Sequence, residues 1–218
     1  MANQKPHHET RKLVTLRDWL TSLKWDGMGR IQNWTDTYLG TRTDAKQRAA
    51  ARAWLVSAVA RAMQPGCRAD IVLILEGPQG CGKSAAMAAL SGDDDDFGEL
   101  SGGLGSKEAV ESLRGKWIVE IEDEGPDSFG GLDDSGSVSF LTSKVDVYRP
   151  PYAKDAMKVP RTCVFVVTTC RGPGFRGQLQ GRGLSCKRID VETIRSDREQ
   201  IWAEAVYCYN HQEQWWLS

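Results

Sequence analysis

The sequence predicts an α/β fold: a mostly parallel sheet preceded by an N-terminal helical region. Two observations predict it. Three apolar runs of strand length, Ile71–Leu75, Trp117–Ile121 and Thr162–Thr168, are separated by helical stretches, and that alternation favours a parallel sheet. The first run breaks into a glycine-rich loop and then helix formers, in "LILEGPQGCGKS", Leu73 to Ser84.

Taken in order, residues 1–12 read as a flexible polar tail, 13–66 as the helical region and 67–218 as the core. Thr15 caps a helix from Leu16 to Leu23, Asp26-Gly27 turns, and Ile31 to Tyr38 forms a second short helix. Asp44 caps an alanine-rich helix over 44–63. Trp54, Leu55, Ala58, Val59 and Ala62 form its apolar stripe, and Pro65-Gly66 stops it. Lys83 to Leu90 is helical. The aspartates from Asp93 read as a solvated loop, followed by a helix near Lys107 to Leu113. After the strand at Trp117 comes an acidic, glycine-rich stretch ending in a helix near Val138 to Thr142. Pro150-Pro151 excludes regular structure, residues 170 to 188 read as a loop, and Ser196, with Glu199 at N3, caps a closing helix to Tyr209.

Composition narrows the function. The chain has 218 residues and a formal net charge of −1, so no global basic field points to nucleic acid and any such contact is local. Its six cysteines include no Cys-x-x-Cys pair, which favours free thiols over a zinc module. Neither a signal peptide nor an apolar run long enough to cross a bilayer is present, so the expected setting is cytoplasmic, with no membrane partner.

Gly77, Pro78, Gln79, Gly80, Cys81, Gly82, Lys83 and Ser84 satisfy GxxxxGK[ST], which makes the expected core a P-loop NTPase. Glycines let the backbone turn its N–H groups toward phosphate oxygens, and the following helix adds its N-terminal dipole. Lys83 is expected to reach the β- and γ-phosphates of ATP, and Ser84 the Mg²⁺. Carboxylates for the metal side stand on "KWIVEIEDEG": Glu120 within the strand, Glu122, Asp123 and Glu124 at its end. Glu120 interrupts an apolar run, and a buried charge is costly unless paired. The third strand ends in Thr168, Thr169 and Cys170. The threonines are candidates to contact the γ-phosphate or the water, or simply suit a strand end.

Together with "LKWDGMGRI", "LRGKWIVEIEDE", "FLTSKVDVYRPPY", "RTCVFVVTT" and "DREQIWAEAVYCY", these motifs resemble the virulence-associated protein E family. Its members are P-loop proteins of phages, prophages and mobile islands, related to superfamily 3 replicative helicases. The resemblance runs from about Asp18 to Trp216. It implies an AAA+/superfamily 3-like fold with Gly77 to Ser84 as Walker A, Glu120 and Asp123 as the main Walker B acids and Glu122 as their neighbour. The implied activity is an ATP- and Mg²⁺-dependent DNA helicase or translocase, working as a homo-oligomeric ring beside a primase or initiator. Two departures stand out. Cys170 replaces the family's Asn, and the arginine stretch "FRGQLQGRGLSCK" keeps Arg176 and Arg182 but places Gly183 and Ser185 where Arg and Trp are expected. Arg182, then Arg176, are the candidates for a finger reaching a neighbour's γ-phosphate.

Local charge adds a DNA expectation. Lys144, Arg149, Lys154, Lys158 and Arg161 cluster against Asp146 and Asp155, and residues 171 to 188 carry five bases and no acid. Lys144 and Arg149 would track a single strand's phosphates, with Tyr148 and Tyr152 stacking on bases; the alternative is a solvated loop with packing tyrosines. Two rival functions remain: a P-loop ATPase switch acting on a partner, and a structural or inhibitory nucleotide binder with weak ATPase activity.

Overall fold

The computed structural model describes residues 15–92, 94–123, 135–148, 155–170 and 183–216. Three helices lead: α1 (Leu16–Ser22), α2 (Trp34–Leu39) and α3 (Ala45–Met63). Then follow β1 (Leu73–Glu76), α4 (Lys83–Ser91), β2 (Phe97–Glu99), α5 (Lys107–Ser112), β3 (Ile118–Asp123) and α6 (Ser135–Thr142). The chain continues through β4 (Val145–Tyr148), β5 (Met157–Pro160), β6 (Val164–Thr169), β7 (Leu184–Ser185) and α7 (Val191–Asn210).

The α/β expectation holds. β2-β3-β6-β1-β7 form one sheet in that order, every pairing parallel, while β4 and β5 form a separate antiparallel hairpin. β6 lies between β1 and β3. Its register sets Thr168 opposite both Leu75 and Glu122, and Thr169 opposite Glu76 and Asp123. All these residues therefore reach the carboxyl edge of the sheet together, where open α/β sheets hold ligands.

Local signals fixed the helix starts that the chain spells out. Thr15 and Asp44 each close a capping box, with Asp18 and Gln47. The closing helix corrects the expectation. It begins at Val191 under Asp190, whose side chain accepts from Thr193 N–H, so Ser196 lies inside the helix rather than at its cap. Four strands were not anticipated. β2 and β7 are too short to show a period, and Asp146 disguises β4, whose Asp146 and Tyr148 point inward while Val145 and Val147 are exposed.

Two apolar layers flank the sheet. One, with Val72, Ile74, Val119, Ile121, Phe165 and Val167, is closed by Leu113 and Leu141. The other joins Leu73, Leu75, Ile118, Val164 and Val166 to residues of all three leading helices, α4 and α7. Three fully buried tryptophans tie it together. Trp54 Nε1 donates to Phe165 O at 2.8 Å, Trp117 Nε1 to Ala58 O at 2.9 Å and Trp202 Nε1 to Leu90 O at 2.8 Å. Each indole thus buries its ring without stranding its N–H.

The sequence counts Arg161 among the local bases that raise the DNA expectation; the structure corrects this. It is 2% exposed, forks onto Asp146 of β4 with Nε–Oδ2 at 3.0 Å, and its guanidinium lies near the rings of Phe140 and Phe165. A paired, hydrogen-bonded guanidinium can be buried where a lone one cannot.

Candidate functional site

The site begins where β1 meets its loop. Gly77 N–H continues the ladder to Thr169 O at 3.1 Å. Any side chain at Gly77 would lie 2.9 Å from Cys186 O and 3.1 Å from Cys81 Sγ, so only glycine permits this approach. Gly82, at φ +98°, turns the chain left-handed directly before α4. The loop therefore opens onto a helix N-terminus, as the motif predicted.

Lys83 is buried, and its Nζ donates to Gly77 O at 2.8 Å and Pro78 O at 3.0 Å. Its ammonium is satisfied by carbonyls of its own loop, and it lies 3.9 Å from Cys81 Sγ and 4.0 Å from Cys170 Sγ. Ser84 Oγ donates to Glu120 Oε1 at 2.7 Å, and Thr168 Oγ1 donates to the same oxygen at 2.6 Å. Helix α4, β3 and β6 thus meet on one carboxylate oxygen.

Glu120 is 2% exposed, and its second oxygen, Oε2, is buried with no hydrogen-bond partner. Burial pushes its carboxyl above the ordinary value of 4.5, against the opposing pull of the Thr168 and Ser84 hydroxyls; the charges of Glu99 and Glu122 add to the rise. A half-satisfied buried carboxylate beside a serine hydroxyl is an oxygen donor set suited to a hard divalent cation.

The strand period separates the other acids. Glu120 and Thr168 share the face that packs on α4, whereas Asp123 and Thr169 project to the opposite face, each buried, as partners in the register. Glu122 is exposed. The structure therefore brings Lys83, Ser84, Glu120 and Thr168 together, and sets Asp123 and Thr169 side by side at the same sheet edge. Glu76 escaped the sequence reading. Buried at the end of β1, it lies so close to Gly183 that a methyl group there would fall 2.0 Å from its Oε1. The signal was available: a carboxylate closing an apolar strand immediately before the loop.

On the hairpin, Lys144 is exposed. Tyr148 is 7% exposed, with the Arg114 guanidinium 4.6 Å from its ring centroid, so it packs against the body instead of offering a free face to a base. Arg149, Tyr152, Arg176 and Arg182 lie outside the described residues. Among the described residues no helix is long and apolar enough to cross a membrane.

Comparisons with known proteins agree with this architecture. The family model for the virulence-associated protein E-like domain matches residues 20–218. A structure titled as the apo A form of the NrS-1 C-terminal region superposes with a TM-score of 0.57 at 14% identity, covering 85% of this chain and 47% of that one. A second structure of that region gives 0.56 at 13%, covering 84% and 46%. The chain thus spans about half the length of these structures, and at such identity the likeness is one of fold. A comparison with curated protein sequences gives no match.

Proposed function

The chain belongs to the virulence-associated protein E-like family, and on that premise we propose that it is the ATP-hydrolysing DNA motor of a phage or mobile-element replication system. One observation carries the reading: Ser84 and Thr168 converge on one oxygen of Glu120 beside a glycine-rich loop, leaving the other oxygen buried without a partner. Backbone N–H groups of Gly80 to Ser84 would receive the phosphates, with Lys83 exchanging its loop carbonyls for phosphate oxygens. Ser84 and Glu120 are the groups that would hold Mg²⁺, which, bound to nucleotide, neutralises phosphate charge. Thr168 holds Glu120 in place. Asp123 and Thr169 stand at the same sheet edge but on its opposite face, and Glu122 faces solvent.

The motor reading extends to residues beyond the core. Lys144 with Arg149 and Tyr152 would engage single-stranded DNA, and Arg182, or Arg176, would reach the γ-phosphate of a neighbour in a ring. The test is ATP hydrolysis with and without single-stranded DNA, followed by strand displacement. DNA-stimulated turnover that is lost in Glu120→Gln, together with displacement, supports the motor. Mixing Lys83→Ala with Arg182→Ala protein should restore partial turnover if the site is shared between subunits.

A second reading is favoured by Cys170. It follows β6, exposed, next to Lys83, where the family carries an amide; a thiol lacks the amide's paired donor and acceptor. On that reading the chain is a regulatory or structural nucleotide-binding protein with weak ATPase activity. Tight nucleotide binding without DNA-stimulated turnover would select it.

A further inference from the structure

Two thiols flank the lysine of the glycine-rich loop, and no step of the proposed chemistry uses them. Cys81 sits inside the loop between Gly80 and Gly82, both at positive φ. Cys170 is exposed at the end of β6, the next residue after Thr169, whose carbonyl receives Gly77 N–H. Lys83 Nζ is near both, 3.9 Å from one sulfur and 4.0 Å from the other. The sulfurs can be no further apart than those two distances laid end to end. A disulfide needs about 2.05 Å, a gap that closing the loop toward β6 would bridge. Glycines on both sides of Cys81 supply the hinge.

We infer that Cys81 and Cys170 form a peroxide-reactive thiol pair whose oxidation closes the loop against phosphate. A hydroperoxide is the oxidant. Its O–O bond breaks on the exposed Cys170 sulfur, giving a sulfenic acid and releasing one oxygen as water or alcohol. The Cys81 sulfur then attacks that sulfur, the S–O bond breaks, and a second oxygen leaves as water. Two sulfurs lose two electrons in all, and the peroxide takes them up. The resulting bond ties the loop to the end of β6 across the space in front of Lys83, where a phosphate would approach.

The other nearby thiol is set apart by its surroundings. Cys186 is buried behind Gly77, and burial pushes its thiol up to about 12. Its thiolate, the reactive form, is correspondingly scarce. Cys163 and Cys208 are likewise buried, with their thiols pushed up to about 11.

The blocking part of this inference rests on the loop being a nucleotide site, so its test has two separate readings. Reduced full-length protein is first titrated with a fluorescent ATP analogue, which scores the nucleotide reading alone. The protein is then treated with hydrogen peroxide and mapped by non-reducing peptide mass spectrometry, which scores the thiol pair alone. The expected product links the Cys81 peptide to the Cys170 peptide. It should be absent from Cys170→Ser protein, form more slowly with the analogue bound, and revert with a thiol reductant. Affinity of the linked protein for the analogue should fall at least tenfold and recover on reduction. A Cys81–Cys186 link, the absence of any link, or unchanged affinity in linked protein would each overturn the proposal.

Discussion

Ser84 Oγ donates to Glu120 Oε1 at 2.7 Å, which joins the helix after the glycine-rich loop to the strand bearing the buried acid. Because Thr168 donates to the same oxygen, the carboxylate is held from two elements at once. Its stability cost and its chemistry therefore have the same origin, and both can be measured.

Glu120→Gln should raise stability at neutral pH. Burial lifts the carboxyl above 4.5, so the folded state favours the protonated form. That contribution is fully present below 4.5 and is lost as pH rises through the raised value. The amide keeps an oxygen for both hydroxyls and never ionises. Its melting temperature should exceed wild type near neutrality, by about 2–4 °C for each kcal/mol gained, and the gap should shrink in acid. The same variant should bind nucleotide better than it turns it over, because the carboxylate's charge matters most in the transition state. Thermal melts across pH test the first part; an equal gap at every pH contradicts it.

Thr168→Val keeps the volume and removes one of the two donors to Glu120. A hydrogen bond to a charged group contributes about 1.5–3 kcal/mol, so urea unfolding should report a loss of that order. Thr168→Ser should recover most of it. An unchanged Thr168→Val beside a destabilised Thr168→Ser would mean that packing, not the hydroxyl, matters here.

Lys83→Ala should weaken Mg-ATP binding at least tenfold, about 1.4 kcal/mol. The ammonium that now donates to Gly77 O and Pro78 O is the one expected to turn to phosphate. Calorimetric titration of a folded variant with unchanged affinity would remove Lys83 from the site.

Asp146→Ala leaves the Arg161 guanidinium buried without its partner across the hairpin. The cost should be about 3–5 kcal/mol. The paired change Asp146→Leu with Arg161→Met should cost much less. Chemical denaturation distinguishes the two, and a single-variant loss under 1 kcal/mol would contradict a desolvated pair.

Lys144→Ala and Arg149→Ala should each weaken single-stranded DNA binding across sequences. Each lost phosphate contact should flatten the salt dependence by about 0.7 in log–log slope. Fluorescence anisotropy at several salt concentrations reads this, and an unchanged slope would return the segment to ordinary surface.

Features written in consecutive residues were legible. The caps at Thr15 and Asp44, the loop motif and three buried strands all depend on neighbours a few positions apart. What was not legible depends on register between distant segments. That β6 lies between β1 and β3, with Thr168 rather than Thr169 facing Glu120, follows from pairings no local pattern encodes. Arg161 looked like a surface base because its partner, Asp146, is 15 residues away and becomes adjacent only when the hairpin forms. Tyr148 looked available for stacking because Arg114, which covers it, comes from the segment after α5.

The tryptophan bonds bear on how this chain can be dissected. Trp54, from the leading helices, is anchored to β6, and Trp117, which immediately precedes β3, is anchored back to α3. A fragment starting after residue 66 would lose Trp54 altogether and leave the Trp117 indole N–H without its acceptor. Its sheet would lose the part of that apolar layer's cover that the leading helices supply, leaving only α4 and α7 over the rest. The leading helices and the loop-bearing sheet should therefore melt as one cooperative unit, and a fragment without those helices should aggregate, not simplify.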